Sequence, residues 1–217
     1  MPKKPKFTRQ EIIDAAYEIV KERGMEDLVA RSLAKKLNSA CSPIFTLFDS
    51  MEEVKQAVYE KAKKIFVDDL KQSLDYFPIF KEFGLRYVKF AMENPNVFST
   101  LFGAKSSVDF EDLLVDFADV VEPILEGIQT TFDLNREESL YLCNYMIITA
   151  NGMATAFAAR KNKYGEEELG KYMSETCIGL VLILKTKDNE LDVDFAKQMA
   201  NSIDKMPIKK DAKEGEA

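Results

Sequence analysis

A chain of 217 residues that is 46% hydrophobic and 31% charged, with only 9 Gly and 7 Pro, is long enough for one large or two small domains and is composed for helices. It holds no histidine, which excludes Ser-His-Asp and Cys-His nucleophile chemistry and every His-based metal site. The net charge of −7 speaks against nucleic acid at first sight, but Met1 to Ser50 carry nine Lys and Arg against seven Asp and Glu (+2), and the remainder 21 against 30 (−9).

The first helix is announced by Thr8-Arg9-Gln10-Glu11, a capping box in which the Thr8 hydroxyl accepts from the Glu11 N–H and Glu11 reaches back. Phe7 and Ile12 stand where a hydrophobic staple would place them. Ile12, Ile13, Ala16, Ile19 and Val20 form one apolar face, Lys21 and Arg23 suit the negative end of the dipole, and Gly24 is a natural left-handed stop. A short second helix is expected from about Ala30 to Leu37, with Leu33, Ala34 and Leu37 inward and Asp27 as a loose cap. A third short helix ends near Phe48, with Ile44, Phe45 and Phe48 facing in, and Asn38 to Cys41 leave room only for a tight turn between the two. Ser50-Met51-Glu52-Glu53 is another capping box. It opens a helix of roughly 25 residues with the stripe Val54, Val58, Ala62, Ile65, Leu70 and Leu74.

After Phe77-Pro78 the pattern continues as helix after helix. One runs from about Ile79 to Met92 and stops at Asn94-Pro95-Asn96; a short one covers Val97 to Phe102. Another runs from Phe110 to about Thr131, with Pro123 as a kink. Asn135-Arg136-Glu137-Glu138 caps the next, whose stripe is Leu140, Cys143, Met146, Ile147, Ala150, Ala154 and Phe157. The last long helix spans Glu166 to about Lys185. A weaker amphipathic piece, Val193 to Ile203, follows, and the charged tail from Pro207 reads as disordered. No repeat and no strand pattern is evident.

Small residues at Ala150, Gly152, Ala154 and Ala156 would admit a neighbouring helix, and Cys177 to Leu184 is apolar all round. Both features suit a second subunit, and both also suit a central core helix in a monomer. Cys41, Cys143 and Cys177 are far apart and odd in number, so free thiols in a reducing, cytoplasmic compartment are expected. No apolar run follows Lys3, Lys4 and Lys6, so no signal peptide is read, and Ile178 to Leu184 is too short to span a bilayer. No phosphate-cradling glycine loop and no cofactor motif occurs, so no cofactor and no enzymatic activity is expected.

A helix-turn-helix needs a small residue where its helices cross, which Ala34 supplies. Four positions on it needs a turn residue tolerant of positive φ; Asn38 stands there, the non-glycine type best suited to it. Ile44 and Phe48 are the apolar anchors of the second element. With these pieces in place, Phe7 to about Lys61 resembles the N-terminal domain of the TetR (tetracycline-repressor) family of transcriptional regulators. The matching stretches are EIIDAAYEIVKERG, RSLAKKLN and SPIFTLFDSMEEV, with NPNVFSTLF resembling part of the C-terminal half. The resemblance implies an all-α fold with a helix-turn-helix head at 1–50, a helical effector-binding and dimerisation domain at 51–206 and a tail at 207–217. It departs from the family at Asn38 (usually Gly), at Phe45 (usually a phosphate-contacting aromatic hydroxyl), at Met51 (usually Lys) and at Val29 (usually a Ser or Thr cap).

What the resemblance implies is a homodimeric repressor on a palindromic double-stranded DNA operator, released by a small apolar or amphipathic effector, with no membrane partner. The candidate DNA contacts are Lys3, Lys4, Lys6, Arg31, Lys35 and Lys36 on phosphates and Ser39, Ala40, Ser42 and Thr46 on base edges, with Cys41 nearby; Phe45, at the family's phosphate-contact position, and Ser50, at the start of the connecting helix, complete the set. Arg9 adds to the positive flank, and a solvated arm is the alternative for its lysines. The effector lining it implies is Phe90, Met92, Phe98, Phe102, Phe110, Phe117, Met146 and Met153, side chains that suit plain core equally. One rival reading is an interaction protein of the same fold that has lost operator binding; the other, a helical enzyme using buried carboxylates such as Asp119 and Glu122, lacks any catalytic carboxylate motif.

Overall fold

The computed structural model describes residues 6–103, 118–158 and 165–186, together with 198, 201, 209 and 210. In chain order the helices are α1 (Arg9–Arg23), α2 (Ala30–Lys36), α3 (Met51–Lys71), α4 (Ile79–Glu93), α5 (Pro95–Phe102), α6 (Ala118–Phe132), α7 (Arg136–Ala158) and α8 (Glu166–Lys185). The chain divides into two compact units, 1–68 with 94–109 and 69–93 with 110–217. The first turns of the helix expected from Phe110 lie outside the described residues, as do most of Val193 to Ile203 and most of the tail. Among the described residues no helix is long and apolar enough to cross a membrane.

In the first unit α1 starts at the expected capping box. The Glu11 N–H donates to Thr8 Oγ1 at 3.2 Å and the Thr8 N–H to Glu11 Oε2 at 2.7 Å, which holds the Glu11 carboxyl below its ordinary range. Gly24 ends the helix at φ 92° and ψ 167°, a region that only glycine enters without strain. Helix α2 begins on Val29, not on Asp27. Valine has no acceptor, so no side chain caps the first-turn N–H groups; the Ser32 hydroxyl instead accepts from the Val29 N–H at 3.1 Å and donates to the Asp27 carbonyl at 2.7 Å.

A Schellman motif closes α2. The Ser39 N–H donates to the Ala34 carbonyl at 2.9 Å and the Asn38 N–H to the Lys35 carbonyl at 3.1 Å, with Asn38 at φ 46°. Asn38→Gly should therefore be tolerated or mildly stabilising, whereas the β-branched Asn38→Val should cost about 1–3 kcal/mol. Urea unfolding of the two variants measures the contrast, and equal stabilities would refute it.

The expected third helix is a single 3-10 turn, Ile44–Thr46. Pro43 has no N–H, the β-branched and aromatic residues beside it are weak helix formers, and the Thr46 hydroxyl donates to the Pro43 carbonyl at 2.7 Å. Ile44 and Phe48 anchor the turn, at 0% and 2% exposure. Phe45 does not join them and is 44% exposed. Neighbours on a three-residue turn point about a third of a circle apart, so Ile44 inward sends Phe45 outward.

Helix α3 is capped by Ser50, whose oxygen accepts from the Glu53 N–H at 3.2 Å; Glu53 in turn accepts from the Asp49 N–H at 2.7 Å. Its buried stripe is Val54, Val58, Ala62, Phe66 and Leu70, with Phe66 in place of the expected Ile65. The cause is tertiary: the Phe66 ring meets Phe98 and Phe102 of α5 edge-on, with centroids 6.4 and 5.3 Å away. Asn96 of α5 donates to the Lys21 carbonyl at 3.1 Å and so satisfies the last turn of α1.

In the second unit α4 packs against α6, α7 and α8. Asn135 and Glu138 form the reciprocal cap expected for α7, at 3.0 and 2.9 Å. Gly84 of α4 makes room for a side chain of α8: a Cβ there would overlap the Met173 methyl group. Tyr76–Phe77 pairs antiparallel with Lys209–Lys210, a two-residue ladder too short to leave a periodic pattern in the sequence.

Candidate nucleic-acid interface and apolar cavity

The head presents Arg31, Lys35 and Lys36 from α2, and Ala40, Ser42, Phe45, Thr46 and Ser50 from the following segment, all exposed. Ser39 and Cys41 are half-buried, and Lys3 and Lys4 lie outside the described residues. Lys6 Nζ donates to Ser39 Oγ at 3.3 Å and so brings the arm to the turn. The Cys41 thiol donates to the Ala30 carbonyl at 3.5 Å, which sets the turn beside the start of α2.

Two of the positive charges are already committed. Lys36 pairs with Glu22 at 2.9 Å. Arg9 donates to the Leu47 carbonyl at 2.8 Å and to Glu53 at 2.6 Å, with its guanidinium 4.0 Å from the centroid of the Phe48 ring. It clasps the start of α1 to the turn and to α3. No local pattern marks either pairing, because the partners are 14 and 44 residues apart in sequence. Arg9, followed by the Asp49 N–H, holds the Glu53 carboxyl below its ordinary range. The clasp therefore acts above the ordinary glutamate value and is lost as pH falls through the lowered one. Arg31 and Lys35 make no ion pair among the described residues.

The second unit encloses a hollow of about 20 Å³, room for one water. Phe80, Phe83 and Gly84 of α4, Ile124 and Ile128 of α6, Met146 and Ile147 of α7, and Met173 of α8 line it, together with Cys143 and Cys177. No charged side chain and no hydroxyl is among them. Burial pushes both thiols up to about 12. Of the residues proposed from sequence, Met146 lines the hollow. Phe90 is buried elsewhere on α4, Met92 and Met153 are half-buried, and Phe98 and Phe102 pack with Phe66 in the first unit. Phe110 and Phe117 lie outside the described residues. Met173 and Cys177 escaped the sequence reading although they stand one helical turn apart. Iodoacetamide at pH 8 should give a single adduct, on half-buried Cys41, in the folded chain. Peptide mass spectrometry checks this, and labelling of Cys143 or Cys177 at a comparable rate would contradict it.

Helices α7 and α8 also carry an outward apolar stripe. On α7 it runs Tyr141, Tyr145, Ile148 and Gly152, with the first three 38, 45 and 59% exposed. On α8 it runs Tyr172, Thr176, Gly179 and Ile183, with Tyr172 and Ile183 46 and 54% exposed. A Cβ at Gly152 or Gly179 would meet open space. Ala150 and Ala154, expected to admit a partner helix, face their own core, as do Cys177, Ile178, Val181 and Leu184; Gly152 and Ala156 face out.

No family model and no curated protein matches the chain. Among solved structures it is similar to a gamma-butyrolactone receptor described as ArpA-like, with 13% identity and a TM-score of 0.48, over 90% of this chain and 95% of that one. It is also similar to a Streptomyces coelicor protein assigned as a transcription regulator, with 17% identity and a TM-score of 0.39, over 95% and 98%. At such identities and scores neither likeness carries an argument about function.

Proposed function

We propose that the chain is a TetR-type transcriptional regulator, a homodimer that binds a palindromic DNA operator and releases it when a small apolar molecule occupies the second unit. The observation that carries this is the α2 turn, with its Schellman closure, Asn38 at positive φ and an anchored recognition turn flanked by uncommitted Arg31 and Lys35. Residues 1–50 act as the reading head and 51–206 as the effector and dimerisation part. The outward stripe of α7 and α8 pairs with its copy in a second chain. The effector acts by binding better to the state whose heads do not match the operator spacing.

Selection of bound fragments from random duplex DNA tests the reading, and recovery of no enriched sequence would sink it. Arg31→Ala and Lys35→Ala should each flatten the plot of log affinity against log salt by about 0.9 if the side chain meets one phosphate. Lys36→Ala should change it less, because Glu22 already holds that charge. Titrations at several salt concentrations decide, and equal slopes for all three variants would contradict this division. The same two committed charges favour the second reading, an interaction protein of this fold without specific DNA binding, and specific retention by one enriched fragment excludes it.

A further inference from the structure

Resting on the reading that this head binds DNA, we infer that Phe45 reads thymine, by laying its exposed ring against the C5-methyl group that thymine projects into the major groove. Each base pair offers a different set of groups there, and the methyl is the one apolar feature among them. From Ser39 to Phe48 there is no Arg, Lys, Asn, Gln, Asp or Glu, so no side chain can make the two-point hydrogen bonds that read guanine or adenine. The small polar groups are partly engaged: Ser39 accepts from Lys6, and the Thr46 proton goes to the Pro43 carbonyl. The turn's largest outward group is instead the Phe45 ring, 44% exposed and without a ring contact among the described residues.

The turn that carries the ring is anchored. Ile44 and Phe48 bury beneath it, and the Arg9 clasp fixes Leu47 and Phe48. Phosphate-binding charge stands on the preceding helix at Arg31 and Lys35, so the backbone of a duplex and the ring have separate tasks. A phenylalanine cannot donate to a phosphate, so the ring gains by burial alone, and a methyl group is what it can bury.

The test uses the full chain and the duplex it enriches from random DNA. Each thymine is replaced in turn by deoxyuridine, which removes one methyl group and keeps the pair with adenine. Affinity is read by fluorescence anisotropy at fixed salt. One thymine in each half-site should lose about fourfold, the worth of one buried methyl group. In Phe45→Ala the same replacement should have no further effect, and the salt dependence should stay as in the parent, since no phosphate contact is removed. Phe45→Leu, still apolar, should keep part of the sensitivity. Circular dichroism of both variants should match the parent, because the ring is exposed. Binding that is indifferent to deoxyuridine at every position overturns the assignment, as does a sensitivity that Phe45→Ala leaves intact; DNA binding stands in either case. If no sequence is enriched and the ring serves a protein partner, the assignment and the DNA reading fall together.

Discussion

Ile183→Glu and Ile148→Glu should each turn a dimer of twice 24.7 kDa into a folded monomer and weaken operator binding by a factor of about 10² or more. Both side chains are more than half exposed in the single chain, at 54 and 59%, and lie on the outward stripe of α7 and α8. Burying the exposed half of each against a copy of the same surface would gain about 1–1.5 kcal/mol, and a carboxylate there would have to be desolvated without a partner. The isolated fold gives up little, because both residues are more than half exposed in the single chain. Melting of the monomeric state should therefore stay within about 0.5 kcal/mol of the parent. Leu180, half-buried, is a poorer probe of the seam than Ile183. Light scattering at micromolar concentration decides: a parent chain of 24.7 kDa, or Glu variants that remain dimers, would remove this interface.

Met173→Ala should destabilise the second unit by about 2–5 kcal/mol and at the same time turn the small hollow into a binding cavity for a benzene-sized probe. The side chain is 5% exposed, lines the hollow and sets its methyl group against Gly84. At about 20 Å³ the hollow falls well short of the ~300 Å³ lower end of drug-sized pockets, so the effector proposed for it would have to displace something. An unbranched thioether is the lining group that moves most cheaply. Toluene should raise the melting temperature of Met173→Ala by several degrees and that of the parent far less, whereas zinc and nucleotides should do little to either. Equal toluene shifts in parent and variant would show that Met173 does not control access. A larger shift with zinc would show that the sulfur groups, not the apolar walls, make the site.

Much of this architecture was legible in the residues because its signals are local. Thr8 with Glu11, Ser50 with Glu53 and Asn135 with Glu138 each mark a helix start within four residues, and each was found in the structure. Asn38 at positive φ follows from its place in the turn. Val29 shows the limit: no side chain caps α2, and the bond from the Val29 N–H to Ser32 inside the helix is one that a search for capping residues before the helix cannot find.

What only the tertiary structure decided concerns partners distant in the chain. Phe66 takes the buried place given to Ile65 because the α5 rings wait for it, and periodicity alone cannot choose between neighbours. Lys36 and Arg9 lose their free charge to Glu22 and Glu53, so a count of basic residues overstates the surface open to phosphate. The turn at Ile44–Thr46 is too short for a period to show, and its 3-10 geometry sends Phe45 to solvent instead of to the core. The cavity needs three helices around α4, with Gly84 yielding its place to a methionine 89 positions later. The sequence by itself determined the capped starts of α1, α3 and α7 and which residue could make the turn, because those depend on bonds within a few residues. Which apolar face meets which, which charges remain open and how little space is left inside depend on packing between segments far apart, and only the folded chain settles them.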